Sequence, residues 1–388
     1  MSKTTKVLII TIAFLVLIIG GFFIYQKYFK SNNSSGTSVI PTNNANKTVS
    51  IPDTVLSNKF GFLSGGPESY SQIKDYGATW VRPHPGPFLW DAMQQNITSD
   101  VSFENSDDIV KTAQENQLGT LATLWPFAEW DQKDQTNSSN CAVSENDEFL
   151  PKNDQKGRGD YLPAHRCAPF DWNKYYEWLR KTVERYDGDG ISDMPGLKIP
   201  IKYWEIMNEP DLQDNLDGRL TFWRDTPEQY AKLLIESYKI IKQADPDAQI
   251  LIAGAAGGNQ TFLDFYRKVF ADKEALTSFD LGNIHCISND ENNDFNVSTY
   301  KKMLSEFGIN KDVWVTEAEN MKGKNLQENF ELTKKSTEGA ILAGAKRIFY
   351  TRYDFADTRK DMSEKNEPTN EQIKENQNLY KSITKEFK

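Results

Sequence analysis

Short apolar runs alternate with amphipathic, helix-like segments along most of the chain. Eight of the runs are rich in β-branched and aromatic residues, as buried strands are. They are Phe60–Leu63, Thr79–Arg82, Gly119–Leu124, Lys202–Met207, Gln249–Ala253, Leu281–His285, Val313–Thr316 and Arg347–Thr351. Strands that alternate with helices are typical of parallel βα units. Eight such units predict a single α/β domain folded as a (β/α)₈ TIM barrel.

The helical segments carry start and stop signals. Thr226-Pro227-Glu228-Gln229 combines a capping hydroxyl, a first-turn proline and a glutamine at the capping-box position. Asp171 is expected to begin a helix that runs through Tyr186. The remaining predicted helices are Pro67–Tyr76, a helix after Asp107 that ends near Asn116, Thr261–Phe270, Ser298–Phe307, Leu326–Ala343 and Glu371–Phe387.

The N-terminus carries a long apolar stretch. Val7–Tyr25 is 19 residues without a charge, close to the ~20 that cross a hydrocarbon core as a helix. A cleaved signal peptide usually has an apolar region of about 7–15 residues before a small-residue cleavage site, whereas this run is longer and ends in aromatic residues. We therefore expect residues 1–30 to form a single uncleaved transmembrane helix, with the rest of the chain outside the cytoplasm.

A polar stretch follows the predicted anchor. It is rich in Ser, Asn, Thr and Gly and has no periodicity, which predicts a flexible linker over residues 31–55. The barrel is then expected over residues 56–388. The segment at about 125–170 is far longer than an ordinary βα loop, and a long loop after a barrel strand shapes the active-site face.

The charge balance restricts the partners. The chain has 55 acidic and 45 basic residues, a net charge of −10, and without the four lysines of residues 1–30 the net charge is −14. A nucleic-acid partner is not expected, because binding phosphates requires a basic surface. Cys141 and Cys167 bracket the long insertion and could form a disulfide outside the cell, which would leave Cys286 free. The Cys and His spacing indicates no metal site, and no cofactor motif is present.

Two predicted strands end in glutamate. Glu209 lies two residues after the fourth predicted strand, and Glu317 directly follows Thr316, the last residue of the seventh. Side chains at the C-terminal ends of barrel strands face one common cleft. A glutamate at one strand end is usually a solvated or capping residue, but a pair in register on two strands is what glycoside hydrolysis requires.

These residues resemble clan A glycoside hydrolases, the (β/α)₈ enzymes with an acid/base glutamate after strand four and a nucleophile after strand seven. Within the clan the chain is most similar to family 39, the β-xylosidase and α-L-iduronidase group. The residues that carry this resemblance are Trp204-Glu205-Ile206-Met207-Asn208-Glu209-Pro210-Asp211, Phe222-Trp223, Thr226, Tyr230 and Asp245-Pro246. The resemblance implies that Glu209 is the acid/base, that Glu317 is the nucleophile and that Asn208 holds the substrate 2-hydroxyl.

Four further residues are candidates for the substrate site. Arg82 ends the second strand, where the clan has an arginine that orients the nucleophile carboxylate. His285 ends the sixth strand and could contact Glu209 or the sugar. Trp125, after the third strand, could stack on a sugar ring or pack the insertion, and Tyr353, after the eighth, takes the place of a clan tryptophan.

We therefore expect a retaining O-glycosidase that acts on extracellular or cell-envelope oligo- or polysaccharide by a two-glutamate double displacement, without a cofactor. Two alternatives stay open. The same residues would serve a transglycosidase that builds envelope polysaccharide, and a barrel that has lost catalysis could still bind glycans. The sequence leaves the sugar, the anomer and exo or endo action open.

Overall fold

The computed structural model describes residues 48–64, 67–135, 138–151, 161–213, 218–287, 290–320, 326–351 and 370–387. The predicted anchor, most of the predicted linker and Tyr353 lie outside these residues. No helix within the described part of the chain is both long and apolar enough to cross a membrane.

Eight parallel strands form the core of the molecule, and all eight were predicted. They are β1 (Phe60–Ser64), β2 (Trp80–Pro83), β3 (Gly119–Leu124), β4 (Tyr203–Ile206), β5 (Gln249–Ile252), β6 (Gly282–Ile287), β7 (Val313–Glu319) and β8 (Ala345–Tyr350). Their order in the sheet is β5-β4-β3-β2-β1-β8-β7-β6. The sheet therefore follows chain order, with β1 paired to both β2 and β8.

Isolated parallel bridges join the two edge strands of this sheet. They pair Leu251 with Leu281 and Ala255 with Ile284. The sheet is thereby rolled into a nearly closed TIM-like barrel, and the predicted fold class is confirmed for the barrel. Because every strand runs in the same direction, all eight C-terminal ends lie at one face of the barrel.

The helices follow the strands as the periodicity predicted. In the described residues they are α1 (Asp53–Leu56), α2 (Tyr70–Asp75), α3 (Trp90–Met93), α4 (Glu104–Glu115), α5 (Glu129–Gln132), α6 (Trp172–Glu184), α7 (Pro227–Ala244), α8 (Gln260–Val269), α9 (Val297–Ser305), α10 (Leu326–Leu342) and α11 (Asn370–Glu386). Two predicted caps are present: Thr226 accepts from the Gln229 backbone N–H and Asp171 from that of Lys174. Such caps satisfy backbone donors that the helix itself leaves unpaired.

The N-terminal face of the barrel is covered by the segment that contains α1. Val55 is buried, and its carbonyl accepts from the Trp80 indole N–H at 2.9 Å. The Leu56 carbonyl accepts from Arg347, whose guanidinium carbon lies 4.0 Å from the Trp80 ring centroid. Residues 48–56 thus pack against the barrel. Ile51 and Val55, which fall at the end of the predicted linker (residues 31–55), are buried in an apolar cluster with Trp80.

The long insertion after β3 is held by a disulfide between Cys141 and Cys167. Beside it, Ala142 and His165 form an antiparallel bridge. The disulfide that the sequence left as a possibility is therefore present, and Cys286 is buried and takes no part in it. These two contacts join the described parts of the insertion to each other on the C-terminal side of the barrel.

Replacing Cys141 and Cys167 together by serine should destabilise the protein. The bond closes a loop of 26 residues, and a loop of this length corresponds to about 3–4 kcal/mol in the chain-entropy description. Urea unfolding monitored by fluorescence should show the loss as a lower midpoint. The single variant Cys286→Ser, which breaks no covalent bond, is the control, and an unchanged midpoint for the double variant would contradict the prediction.

Candidate active site

Glu209 and Glu317 meet at the C-terminal face of the barrel. Glu209 follows β4 by three residues, on a turn in which Met207 and Glu209 have φ values of 72° and 40°. Non-glycine residues in this left-handed region cost of order 1–3 kcal/mol each and concentrate at functional sites. Glu317 lies within β7, which extends to Glu319 through a register shift between Val315 and Ala318. The strained turn and the irregular strand bring both carboxylates to one point.

The two carboxylates are close and almost hidden from solvent. Each glutamate is 5% exposed. One oxygen of each lies within 4.8 Å of the other and of a His285 ring nitrogen. The carboxylate pair that was predicted from the two strand ends is therefore assembled in space.

Arg82, in β2, connects Glu317 with two buried side chains, Glu205 and Asn208. It is fully buried and donates from Nη1 to Glu317 Oε1 at 2.8 Å, from Nε to Glu205 Oε2 at 2.7 Å and from Nη2 to Asn208 Oδ1 at 2.6 Å. The guanidinium thus orients Glu317, as the resemblance implied. It has no exposed surface in this structure, and its place among the substrate-binding residues stays a prediction from the sequence.

Glu205 is a third buried carboxylate, directly behind Arg82. Its Oε2 accepts from Arg82 and from the Thr123 hydroxyl at 2.5 Å, and its Oε1 accepts from Asn283 Nδ2 at 2.6 Å. The Thr316 hydroxyl lies 3.2 Å from the same Oε1. These donors compensate the desolvation of the carboxylate, and they point it away from the cleft.

Glu209 pairs with His285, which is also fully buried. The distance from His285 Nδ1 to Glu209 Oε1 is 2.7 Å, whereas Glu317 Oε1 is 3.7 Å from the same nitrogen. Gly254 lies against the imidazole so closely that an added Cβ would overlap the ring. Of the two contacts that the sequence allowed for His285, the one with Glu209 is therefore formed, and the buried ring cannot contact a sugar directly.

Burial sets the protonation of these groups. It raises the pKa of Glu209 to about 8, although the positive charge of Arg82 acts in the opposite direction. Burial lowers the pKa of His285 to about 4, so at neutral pH His285 is uncharged and Glu209 holds a proton. The pKa of Glu317 is also raised by burial and by the neighbouring Glu209, while the Arg82 guanidinium, which donates a hydrogen bond to it, acts to lower it. The site therefore presents a carboxylic acid at Glu209 opposite a carboxyl group that is hydrogen-bonded to Arg82.

Asn208 lies between Arg82 and Glu209. Its Oδ1 accepts from Arg82, and its buried Nδ2 has no partner at hydrogen-bond distance within the described part of the chain. The side chain also acts to lower the pKa of Glu209. A buried N–H without an acceptor is costly, and a substrate hydroxyl beside Glu209 would satisfy it. This geometry agrees with the role that the resemblance implied for Asn208.

Trp125 lies beneath the long insertion. Its ring is fully buried against Phe127 and Phe222, and the indole N–H donates to the Pro85 carbonyl at 2.5 Å. This burial favours the alternative that the sequence left open, in which Trp125 packs the insertion, over stacking on a sugar ring. Tyr353 lies outside the described residues.

A second cluster of carboxylates lies away from the cleft. Asp187, Asp189 and Asp193 have one oxygen each within 4.8 Å of the others. Such a group could hold a cation, yet all three carboxylates already accept backbone N–H groups of their own turn. The turn is explained by these hydrogen bonds.

Sequence reasoning did not select Glu205, Asn283 or Thr316 for any role in the site. All three are polar side chains within otherwise apolar strands and are completely buried. That pattern was the available signal, because a polar residue in the middle of a buried parallel strand must find partners inside the barrel. Their mutual contacts required the structure.

The chain matches no protein-family model and no curated protein sequence. Its fold is similar to a glucosidase from Croceicoccus marinus (TM-score 0.55, 14% identity, 85% of this chain and 66% of that chain). It is also similar to a family 39 glycoside hydrolase from Bacteroides cellulosilyticus WH2 (TM-score 0.53, 16% identity, 80% of this chain and 60% of that chain). A third similar structure is xylanase 10B from Thermotoga maritima (TM-score 0.50, 15% identity, 87% of this chain and 100% of that chain).

This chain thus spans less than two thirds of the first two proteins. At these identities the likeness concerns the fold. The predicted resemblance to the (β/α)₈ glycoside hydrolases is therefore confirmed at the level of the barrel that these enzymes share with this protein.

Proposed function

We propose that the protein is a retaining O-glycosidase. The observation that carries the proposal is the approach of Glu209 and Glu317 to within 4.8 Å, oxygen to oxygen. Retaining enzymes hold their two carboxyl groups about 5–5.5 Å apart, whereas inverting enzymes need about 6.5–9.5 Å to admit a water between them. The approach of these two oxygens supports the retaining arrangement, in which Glu317 attacks the anomeric carbon directly.

The two glutamates take different roles because their surroundings differ. Glu209, with a pKa raised to about 8, gives its proton to the glycosidic oxygen as the bond to the anomeric carbon breaks. Glu317, paired with Arg82 at 2.8 Å, attacks that carbon and forms the glycosyl-enzyme. Glu209 then takes a proton from water, and the resulting hydroxide displaces Glu317. Asn208 Nδ2 would hold the neighbouring hydroxyl through both steps.

The substrate that we propose is extracellular or cell-envelope carbohydrate. The disulfide between Cys141 and Cys167 supports a location outside the cytoplasm, because structural disulfides persist in oxidising compartments. The acidic balance of the chain fits a neutral or basic glycan better than a nucleic acid. The anchor at residues 1–30 and the sugar platform at Tyr353 remain predictions from the sequence.

The pH profile and a Glu209→Gln variant test this assignment. Because Glu209 must be protonated in the first step, kcat/KM should fall as the pH rises through about 8. In Glu209→Gln this fall of kcat/KM at alkaline pH should disappear. The rate on glycosides with poor leaving groups should also drop by about 10²–10⁴-fold. Activated aryl glycosides, which need little protonation, should lose much less. A panel of aryl glycosides and matching disaccharides provides the measurement.

Glu129→Gln is the matched control. It makes the same Glu-to-Gln replacement on the same face of the barrel, where Glu129 contacts His165 at 2.8 Å and not the carboxylate pair. Its pH profile should equal that of the unchanged protein. An unaltered profile for Glu209→Gln, or failure of the unchanged protein to hydrolyse any glycoside in the panel, would refute the proposed function.

A further inference from the structure

A chain of buried hydrogen bonds runs from Glu205 to Glu209. Asn283 Nδ2 lies 2.6 Å from Glu205 Oε1, and Asn283 Oδ1 lies 2.8 Å from the Thr316 hydroxyl. That hydroxyl is 2.8 Å from His285 Nε2, and His285 Nδ1 is 2.7 Å from Glu209 Oε1. The five side chains come from β4, β6, β7 and the turn after β4, and none is more than 5% exposed.

The direction of each hydrogen bond follows from the Glu205 end. Glu205 pairs with Arg82 and accepts from the Asn283 amino group, so Asn283 directs its carbonyl oxygen to Thr316. The Thr316 hydroxyl has one hydrogen, and its two neighbouring acceptors are Asn283 Oδ1 and, at 3.2 Å, Glu205 Oε1. Whichever acceptor it uses, the hydrogen points away from His285.

The same reasoning determines the tautomer of His285. Since Thr316 presents only lone pairs to the ring, the hydrogen of the neutral imidazole must be on Nε2. Nδ1 is then an acceptor. An acceptor 2.7 Å from a carboxyl oxygen requires a hydrogen on that oxygen, so the resting form of Glu209 is the acid.

The backbone prevents His285 from changing its orientation. The ring lies against Gly254, where even a methyl group would overlap it. The main chain is held on both sides, because the His285 N–H donates to the Ala255 carbonyl at 2.8 Å and the His285 carbonyl accepts from Asn296 Nδ2 at 3.2 Å. The imidazole therefore presents the same two nitrogens to the same two partners throughout.

We propose that Glu205, Asn283 and Thr316 are positioning residues that fix His285 as its Nε2–H tautomer and thereby keep the proton on Glu209 between turnovers. The role in turnover rests on the proposed function. After Glu209 gives up its proton, its carboxylate faces the Nδ1 lone pair at hydrogen-bond distance. This repulsion favours recovery of a proton from the attacking water in the second step.

Thr316→Val tests the proposal without changing any charge near Glu209. The variant removes the hydroxyl but retains the shape of the side chain. Within the described residues, the titratable groups that face Glu209 stay in place, namely Arg82, Glu205, Asp211, Tyr266, His285 and Glu317. Thr316→Ser, which restores the hydroxyl, is the matched control.

The tautomer can be observed directly. The protein has only three histidines, so ¹⁵N-histidine labelling and long-range ¹H–¹⁵N correlation at pH 7 resolve each ring, and His285→Gln identifies the signal. We expect the Nε2–H form in the unchanged protein and in Thr316→Ser. In Thr316→Val the ring should convert to Nδ1–H and donate to an ionised Glu209. That hydrogen bond should lower the pKa of Glu209 and move the alkaline limb of kcat/KM down by about one pH unit.

An Nδ1–H ring in the unchanged protein would overturn the inference without recourse to a variant. So would a Thr316→Val protein that keeps both the Nε2–H ring and the original alkaline limb. These results are separate from the test of the proposed function. If His285 has the expected tautomer but no glycoside is cleaved, the positioning network stands and the assigned reaction does not.

Discussion

Replacement of Glu317 by alanine should lower kcat/KM by more than about 10⁴-fold, or about 5.5 kcal/mol of transition-state stabilisation. The variant lacks the carboxylate that accepts from Arg82 Nη1 at 2.8 Å on the side of the cleft. Glu209 is protonated at neutral pH, since burial raises its pKa to about 8, and cannot replace it. Steady-state hydrolysis of an activated aryl glycoside provides the measurement.

Azide distinguishes a lost nucleophile from a damaged fold. In Glu317→Ala the removed side chain leaves space beside the anomeric carbon, and azide can attack there. We expect azide to restore turnover of an aryl glycoside and to give a glycosyl azide of inverted configuration, because a single displacement replaces two. The unchanged protein should show no acceleration by azide. Turnover of Glu317→Ala at the original rate without azide would contradict the role of Glu317.

The architecture could be predicted from the sequence because parallel strands buried on both faces have a distinctive pattern. All eight strands occur where apolar, β-rich runs were found. The observed ends differ most at β7, which continues beyond Thr316 to Glu319. The difference has a local cause: the register shift between Val315 and Ala318 lets the strand continue past its first polar residues. The polar side chains of Thr316 and Glu317 lie within the strand, so they indicated an end that is too early.

The positions of the catalytic candidates could also be predicted, but their contacts could not. Strand ends identify the face on which Glu209 and Glu317 lie, since that follows from topology alone. Whether Arg82 and His285 contact a sugar or the carboxylates depends on their depth below the surface. Both are completely buried, and the periodicity of a strand buried on both sides carries no information about such depth.

Trp125 illustrates the same limit. An aromatic residue after a barrel strand is equally suited to stack on a sugar or to fill space beneath a long loop. The outcome depends on the insertion held by Cys141 and Cys167, whose path is set by contacts distant in sequence. The buried hydrogen-bond chain through Asn283 and Thr316 is a related case. Each residue can be recognised in the sequence as a polar side chain in an apolar strand, but the hydrogen bonds between them are visible only in the structure.

Replacing Arg82 by methionine should destabilise the fold as well as abolish activity. The variant leaves Glu205 and Glu317, now 0% and 5% exposed, without their common cation. Removal of one partner from a buried ion pair typically costs about 3–5 kcal/mol, because the remaining charge stays desolvated. Urea unfolding at pH 7 should show a loss of this order.

The loss should depend on pH in a defined direction. A carboxylate buried without a cation gains stability by taking up a proton, so the folded variant binds more protons than its unfolded form at neutral pH. The difference in unfolding free energy between Arg82→Met and the unchanged protein should therefore shrink as the pH falls towards about 4.3, the glutamate pKa in unfolded chains. Below that value the glutamates are protonated in both states of the variant, and no unpaired charge is buried.

Arg166→Met is the matched control for this prediction. Arg166 is also fully buried, and it pairs with Asp147 at 2.8 Å within the insertion. Its loss should destabilise the protein by a similar amount but leave kcat/KM of the folded fraction nearly unchanged, because neither residue contacts the carboxylate pair. Only Arg82→Met should combine the stability loss with inactivity. If Arg82→Met is as stable as the unchanged protein at pH 7, the guanidinium does not balance the two buried carboxylates.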